Sequence, residues 1–115
     1  LTAFDIQDDG SLSNRRVWAQ LRDDVTPDGI CLDAQGAVWA ANPEGKDKVV
    51  RIRAGGQITH RIDVATKAYA VMQGGPQRKH LFICTSGSHD PAKIHKSPSA
   101  SIEVVETDVP GAGIP

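Results

Sequence analysis

The chain has 115 residues, 39% hydrophobic and 23% charged, with a formal net charge of −1. That balance belongs to a globular protein of one domain with a modest core, and it gives no electrostatic reason to expect nucleic acid or an anionic membrane as partner. No apolar run approaches the roughly 20 residues that cross a bilayer, and no basic segment followed by an apolar stretch marks a signal peptide, so the cytoplasm is the expected compartment.

Leu1 enters mid-pattern, which leads us to expect a piece of a longer protein. From there the periodic signal is strand-like. Short runs rich in β-branched and aromatic residues recur between Gly, Asp, Asn and Pro. Strands are expected near Leu1–Ile6, Arg15–Leu21, Gly29–Asp33, Ala37–Ala41, Lys48–Arg53 and Gln57–Asp63, then near Tyr69–Gln73, His80–Thr85 and Ile102–Thr107. Asp33–Gly36 and Arg53–Gly56 carry glycine where a hairpin turn needs positive φ. No useful window has apolar residues at helical spacing. Cys31 and Cys84 sit in short apolar runs and are expected as two buried free thiols.

Two segments repeat one unit. Pro27–Ala41 reads as strand, glycine turn, then a strand with an aromatic; Tyr69–Thr85 repeats that order with a longer turn. The matching turns open at Asp33 and Gly74, about 40 residues apart, the spacing of propeller blades. The first two strands of each copy are apolar, while Val49–Arg53 and Gln57–Ile62 alternate apolar with charged, so the outer strands are expected to meet water. The expected fold is therefore all-β, a partial β-propeller of four-stranded antiparallel blades. Residues 1–24 supply the outer strands of one blade, 25–64 a whole blade, and 65–115 most of another. A long polar loop, 87–100, interrupts the last and is placed to cover the tunnel mouth.

A resemblance rests on a series of motifs in order. They are Gly10–Arg16, Pro27-Asp28-Gly29, Asp33–Gly36, Val38-Trp39-Ala40, Val49–Ile52, Gly74-Gly75-Pro76, Leu81–Thr85 and Val109–Gly113. Together they make the chain similar to the carboxy-terminal half of the SMP-30/gluconolactonase/luciferin-regenerating enzyme family. The resemblance implies a six-bladed propeller, of which about two and a half blades are here. It also implies hydrolysis of sugar lactones or related cyclic esters with a divalent cation in the tunnel. In that family the metal is held by a glutamate near the amino terminus, an asparagine from a middle blade and the aspartate of Pro-Asp-Gly. Only the last falls on this sequence, at Asp28.

Asp28 is accordingly the expected metal ligand and the catalytic base. A hard cation takes anionic oxygen ligands, and a carboxylate beside it can accept the proton of an attacking water. The ion is left open among Ca, Mg, Mn and Zn. On the tripeptide alone, Pro-Asp-Gly reads equally as a β-turn. Asn42, Tyr69 and Thr85 stand at strand ends and are candidates to touch the lactone, each with a structural alternative: a turn for Asn42, a bonded core tyrosine for Tyr69, and the same core reading for Thr85. Trp39 and Phe82 are expected to fill space between blades. The four histidines show no metal spacing, His89-Asp90 reads as solvated loop, and no serine sits in a Gly-x-Ser-x-Gly elbow.

Two functions follow from this reading. One is a metal-dependent lactonase whose remaining blades come from the rest of its chain or from an oligomer. The other is a non-catalytic propeller fragment acting as a binding or assembly module.

Overall fold

The computed structural model describes residues 1–113. Nine strands follow one another as three antiparallel meanders. β1 (Thr2–Ile6) and β2 (Leu12–Val17) form a two-stranded sheet. β3 (Ile30–Leu32), β4 (Val38–Ala41), β5 (Val49–Ile52) and β6 (Ile58–Ile62) form a four-stranded sheet. β7 (Lys67–Gly74), β8 (His80–Ser86) and β9 (Ser101–Glu106) form a three-stranded sheet. The one α-helix among the described residues, α1 (Pro91–Ile94), is a single turn inside the 87–100 loop. No helix of these residues is long and apolar enough to cross a membrane.

The hairpins follow turn chemistry. At Asp33–Gly36 the Gly36 N–H donates to the Asp33 carbonyl at 2.9 Å, with Gly36 at φ 72°. The Asp33 carboxylate accepts the Gln35 and Ala37 amides at 2.9 and 3.0 Å, an Asx arrangement that closes the turn. At Arg53–Gly56 the Arg53 N–H reaches the Gln57 carbonyl and the Gly56 N–H the Arg53 carbonyl, both at 2.9 Å.

β4 and β5, the two central strands of the middle sheet, are buried on both faces. Trp39, Ala41 and Val49 pack toward Ala68, Val71, Leu81 and Ile83 of the third sheet, together with Cys31. Val38, Ala40, Val50 and Ile52 pack on the other side beneath Ala19, Val25 and the half-buried Trp18 and Leu21. Burial on both faces explains why β4 and most of β5 read as unbroken apolar runs.

Four expectations are corrected here. β5 does not alternate toward water. All four of its residues are buried, and Arg51 is held by Asp33 at 2.6 Å with both side chains at most 2% exposed. A buried guanidinium needs its donors filled, and Thr59 at 3.1 Å and the Gln35 side chain at 3.0 Å take two more. β2 starts and stops earlier than Arg15–Leu21, because Trp18–Leu21 leaves the sheet as a cover over the middle one; the Trp18 carbonyl accepts the Gly55 amide at 2.9 Å. Cys84 is exposed while Cys31 is buried, and both are free thiols. Cys84 lies on the outward face of the third sheet beside Met72, Phe82, Ile102 and Val104, all exposed. Phe82 thus faces outward, whereas Trp39 is 3% exposed between the second and third sheets.

Candidate functional site

The site is assembled at one end of the sheets, where β3 begins, β4 ends, β7 begins and β8 ends. Pro27-Asp28-Gly29 enters β3 there and is not a turn. The Asp28 N–H donates to the Ala41 carbonyl, and the Ala41 N–H donates to the Gly29 carbonyl, both at 2.9 Å. These two bonds extend the β3–β4 ladder and leave the exposed Asp28 side chain facing solvent. The Gly29 N–H crosses to the third sheet and donates to the Tyr69 carbonyl at 2.9 Å. A Cβ at Gly29 would stand 2.6 Å from the Ala70 Cα, so only glycine permits this backbone approach.

Tyr69 is the extra residue of a β-bulge. Ala68 faces Thr85 and Ala70 faces Cys84, so Tyr69 stands opposite nothing on β8. A bulge withdraws one peptide from the ladder and turns the side chain. Here it frees the carbonyl for Gly29 and sends the phenol toward the 87–100 loop. The Tyr69 ring meets His89 edge-on with centroids 6.1 Å apart.

Asn42 and Thr85 are used differently. Asn42 is 1% exposed and its amide is filled from within the chain. Its oxygen accepts the Thr26 N–H at 2.8 Å and the Thr26 hydroxyl at 3.2 Å. Its nitrogen donates to the Asp24 carbonyl at 3.2 Å and the Asp47 carbonyl at 2.9 Å. Asn42 therefore clamps the segment that delivers Asp28. Thr85 is buried, with its hydroxyl 2.8 Å from that of Ser101.

Sequence reasoning missed two groups at this end. Glu44 and Lys67 join at 2.6 Å. The Lys67 hydrogen bond holds the Glu44 carboxyl below the usual carboxylate range, and the same bond raises the lysine. The 87–100 loop is not simply solvated polar chain. Asp90 accepts the Ala92 N–H at 3.0 Å and caps α1, whose first residue is Pro91. The Asp-Pro pair was the available signal, as an N-cap followed by proline at the first helical position.

Among the described residues no three His, Cys, Asp or Glu side chains converge on a metal site. The exposed Asp28 carboxylate, on a backbone fixed from both sides, fits the part of one oxygen ligand to a hard cation and not that of a complete site.

Comparison with known proteins identifies the family and the fold. The family model "SMP-30/Gluconolactonase/LRE-like region" matches residues 1–87. Regucalcin of Danio rerio is 32% identical over 116 residues, an alignment covering 97% of this chain and 39% of the relative. Pentonolactonase XacC of Haloferax volcanii is 40% identical over 62 residues, or 53% of this chain and 21% of the relative. A solved structure of luciferin-regenerating enzyme superposes with a TM-score of 0.71 at 20% identity, covering 98% of this chain and 41% of that one. The chain thus spans about two fifths or less of the length of these proteins, and its fold is that of a partial β-propeller. It belongs to the SMP-30/gluconolactonase/LRE-like family.

Proposed function

We propose that the protein containing this chain hydrolyses lactones, with residues 1–24, 25–64 and 65–115 as successive pieces of its propeller. The observation that carries this reading is the exposed Asp28 carboxylate on a rigid strand entrance, within a family whose relatives include a pentonolactonase. Asp28 would hold one position of a divalent cation, Ca, Mg, Mn or Zn, with further ligands supplied from outside the described residues. Such a cation supplies Lewis acidity to the lactone carbonyl.

The chain's own residues do the rest. The Asp28 carboxylate accepts a proton from the water that adds to the carbonyl carbon. When the ring C–O bond breaks, the same carboxyl returns that proton to the departing alkoxide, so the product is an open hydroxy acid. Backbone bonds from Ala41 and to Tyr69 fix where the carboxylate stands, and Asn42 anchors the approach to it. Pre-set geometry of this kind is what lets a single carboxylate act on a bound water.

The test is lactone hydrolysis by the whole protein, followed as acid release from five- and six-membered sugar lactones. Chelation should abolish turnover, and adding back one of the four ions should restore it. A protein that binds lactones without opening them in any ion would instead be the binding module.

A further inference from the structure

β3 is three residues long and is paired along one edge only, to β4. So short a ladder is a weak hold by itself. At the Asp28 end the Gly29 bond to the Tyr69 carbonyl pins the strand to the third sheet. At the other end, about 10 Å along the strand, a second segment takes hold. After β9 the residues Thr107–Gly113 run across the ends of the second and third sheets that lie away from Asp28. The Ala112 N–H donates to the Leu32 carbonyl at 3.0 Å, the Ala34 N–H donates to the Pro110 carbonyl at 2.8 Å, and Gly111 pairs antiparallel with Asp33. The same segment is bonded to the third sheet. The Thr107 N–H donates to the Lys79 carbonyl at 2.7 Å and the Gly111 N–H to the Arg78 carbonyl at 3.0 Å. Gln73 of β7 is 6% exposed, and its amide nitrogen donates to the Thr107 hydroxyl at 2.9 Å and to the Val109 carbonyl at 2.8 Å. A Cβ at Gly111 would stand 2.9 Å from the Gln73 Cβ, so the segment lies tight against β7.

We infer that Thr107–Gly113 is a tie that sets β3 from its far end and thereby aims the Asp28 carboxylate, with Gln73 and Ala112 as positioning residues for the site. The inference rests on the lactonase reading of Asp28 and adds to it the part of the chain that holds Asp28 in place. Along β3 the bonds to β4 leave from the Gly29 carbonyl, to Ala41, and from the Asp33 N–H, to Ala37. The Leu32 carbonyl therefore points to the opposite edge, which no strand of the middle sheet covers. The tie fills that edge. The Asp33–Arg51 pair fixes this end of β3 within its own sheet, and the tie fixes it against the third. Held at both ends, the strand cannot tilt. Held only by the Gly29–Tyr69 bond, it pivots there and turns the side chain of the neighbouring Asp28. A ligand or base must be aimed before it can act, and groups that orient a metal ligand are typically worth about 10- to 100-fold in metal affinity or activity. Gln73 is explained by the same arrangement. A buried amide has to be bonded, and its nitrogen is bonded to the tie.

Two variants are compared with wild type in the whole protein. Ala112→Pro removes the N–H that the Leu32 carbonyl accepts. Gln73→Met keeps the length of the side chain and removes its donors. Amide hydrogen exchange at Gly29 and Ala34 reads the two ends of β3. Calorimetry with Ca²⁺ and with Mn²⁺ reads the site without turnover, and steady-state kinetics on glucono-1,5-lactone reads the reaction. We expect exchange to quicken at both ends by about 2- to 12-fold, the worth of one hydrogen bond. The metal dissociation constant should rise and kcat fall by about 10-fold, with KM kept. Faster exchange at Ala34 alone, with metal affinity and kcat as in wild type, would mean that the tie serves only the far end and would overturn the inference. Unchanged exchange at Ala34 would overturn it too. Gln73→Met leaves every backbone bond in place and decides the matter if Ala112→Pro does not fold. Should the wild type neither bind metal nor open the lactone while Gly29 and Ala34 still quicken together, the lactonase reading fails and the tie on β3 stands.

Discussion

The Gly29 N–H donates to the Tyr69 carbonyl at 2.9 Å, joining the residue after Asp28 to the bulged residue of the next sheet. The bond exists because the backbones come within a distance that leaves no room for a Cβ. Gly29→Ala should therefore push β3 from β7, an overpacking that costs about 1–3 kcal/mol. In the whole protein this variant should lose lactone hydrolysis more steeply than stability, since the displaced element carries Asp28. Thermal unfolding and turnover measured on one preparation check it.

Asp33 and Arg51 are the second fixed point. The pair is fully buried, and the Asp33 carboxylate also closes its own turn. Asp33→Ala leaves the guanidinium without its counter-charge, and breaking a buried pair in this way costs about 3–5 kcal/mol. Urea denaturation should show a lowered midpoint with the slope unchanged. A loss under about 1 kcal/mol would mean that water replaces the carboxylate.

How much of this was legible beforehand depended on the kind of signal. Strand-forming residues between glycine turns placed nine strands, and the glycines at 36, 55 and 56 do adopt positive φ. Arg51 misled, because a charged residue in an alternating run reads as solvent-facing until its partner, 18 residues away, is known. The Tyr69 bulge was invisible for a related reason. Pairing register belongs to two strands together, and neither strand alone marks which residue is left over. At the site, Asp28 was reached through the family motif, while Asn42 was judged by its position at a strand end. Its actual work, tying Thr26, Asp24 and Asp47 together, depends on contacts across a loop.

The two cysteines should report on the open face. Burial pushes the Cys31 thiol up, so less thiolate is present at any pH below its titration. Ellman's reagent at pH 8 should label Cys84 rapidly in the 115-residue chain kept dilute enough to be monomeric, and reach Cys31 only on unfolding. Fast labelling of both would contradict the burial of β3 against the third sheet.

Exposed apolar side chains define a further expectation. Ile30 and Leu32 on β3, and Met72, Phe82, Ile102 and Val104 on the third sheet, are 37–66% exposed. Apolar surface of that extent favours association. The isolated 115 residues should sediment as concentration-dependent oligomers, and Phe82→Lys should reduce that tendency. A monomer at every concentration would show that these faces need no cover.

The proposed function makes Asp28 a metal ligand at a lactonase site. Asp28→Ala in the whole protein, with metal content and lactone turnover measured together, tests it most directly. The reason is electrostatic: a hard cation held by few protein groups loses charge neutralisation when one carboxylate goes. The proposed role predicts a loss of turnover of at least about 100-fold, the effect on the order of a missing base or ligand, with metal affinity lowered and the circular dichroism of the sheets unchanged. Wild-type metal content and wild-type turnover in Asp28→Ala would contradict it.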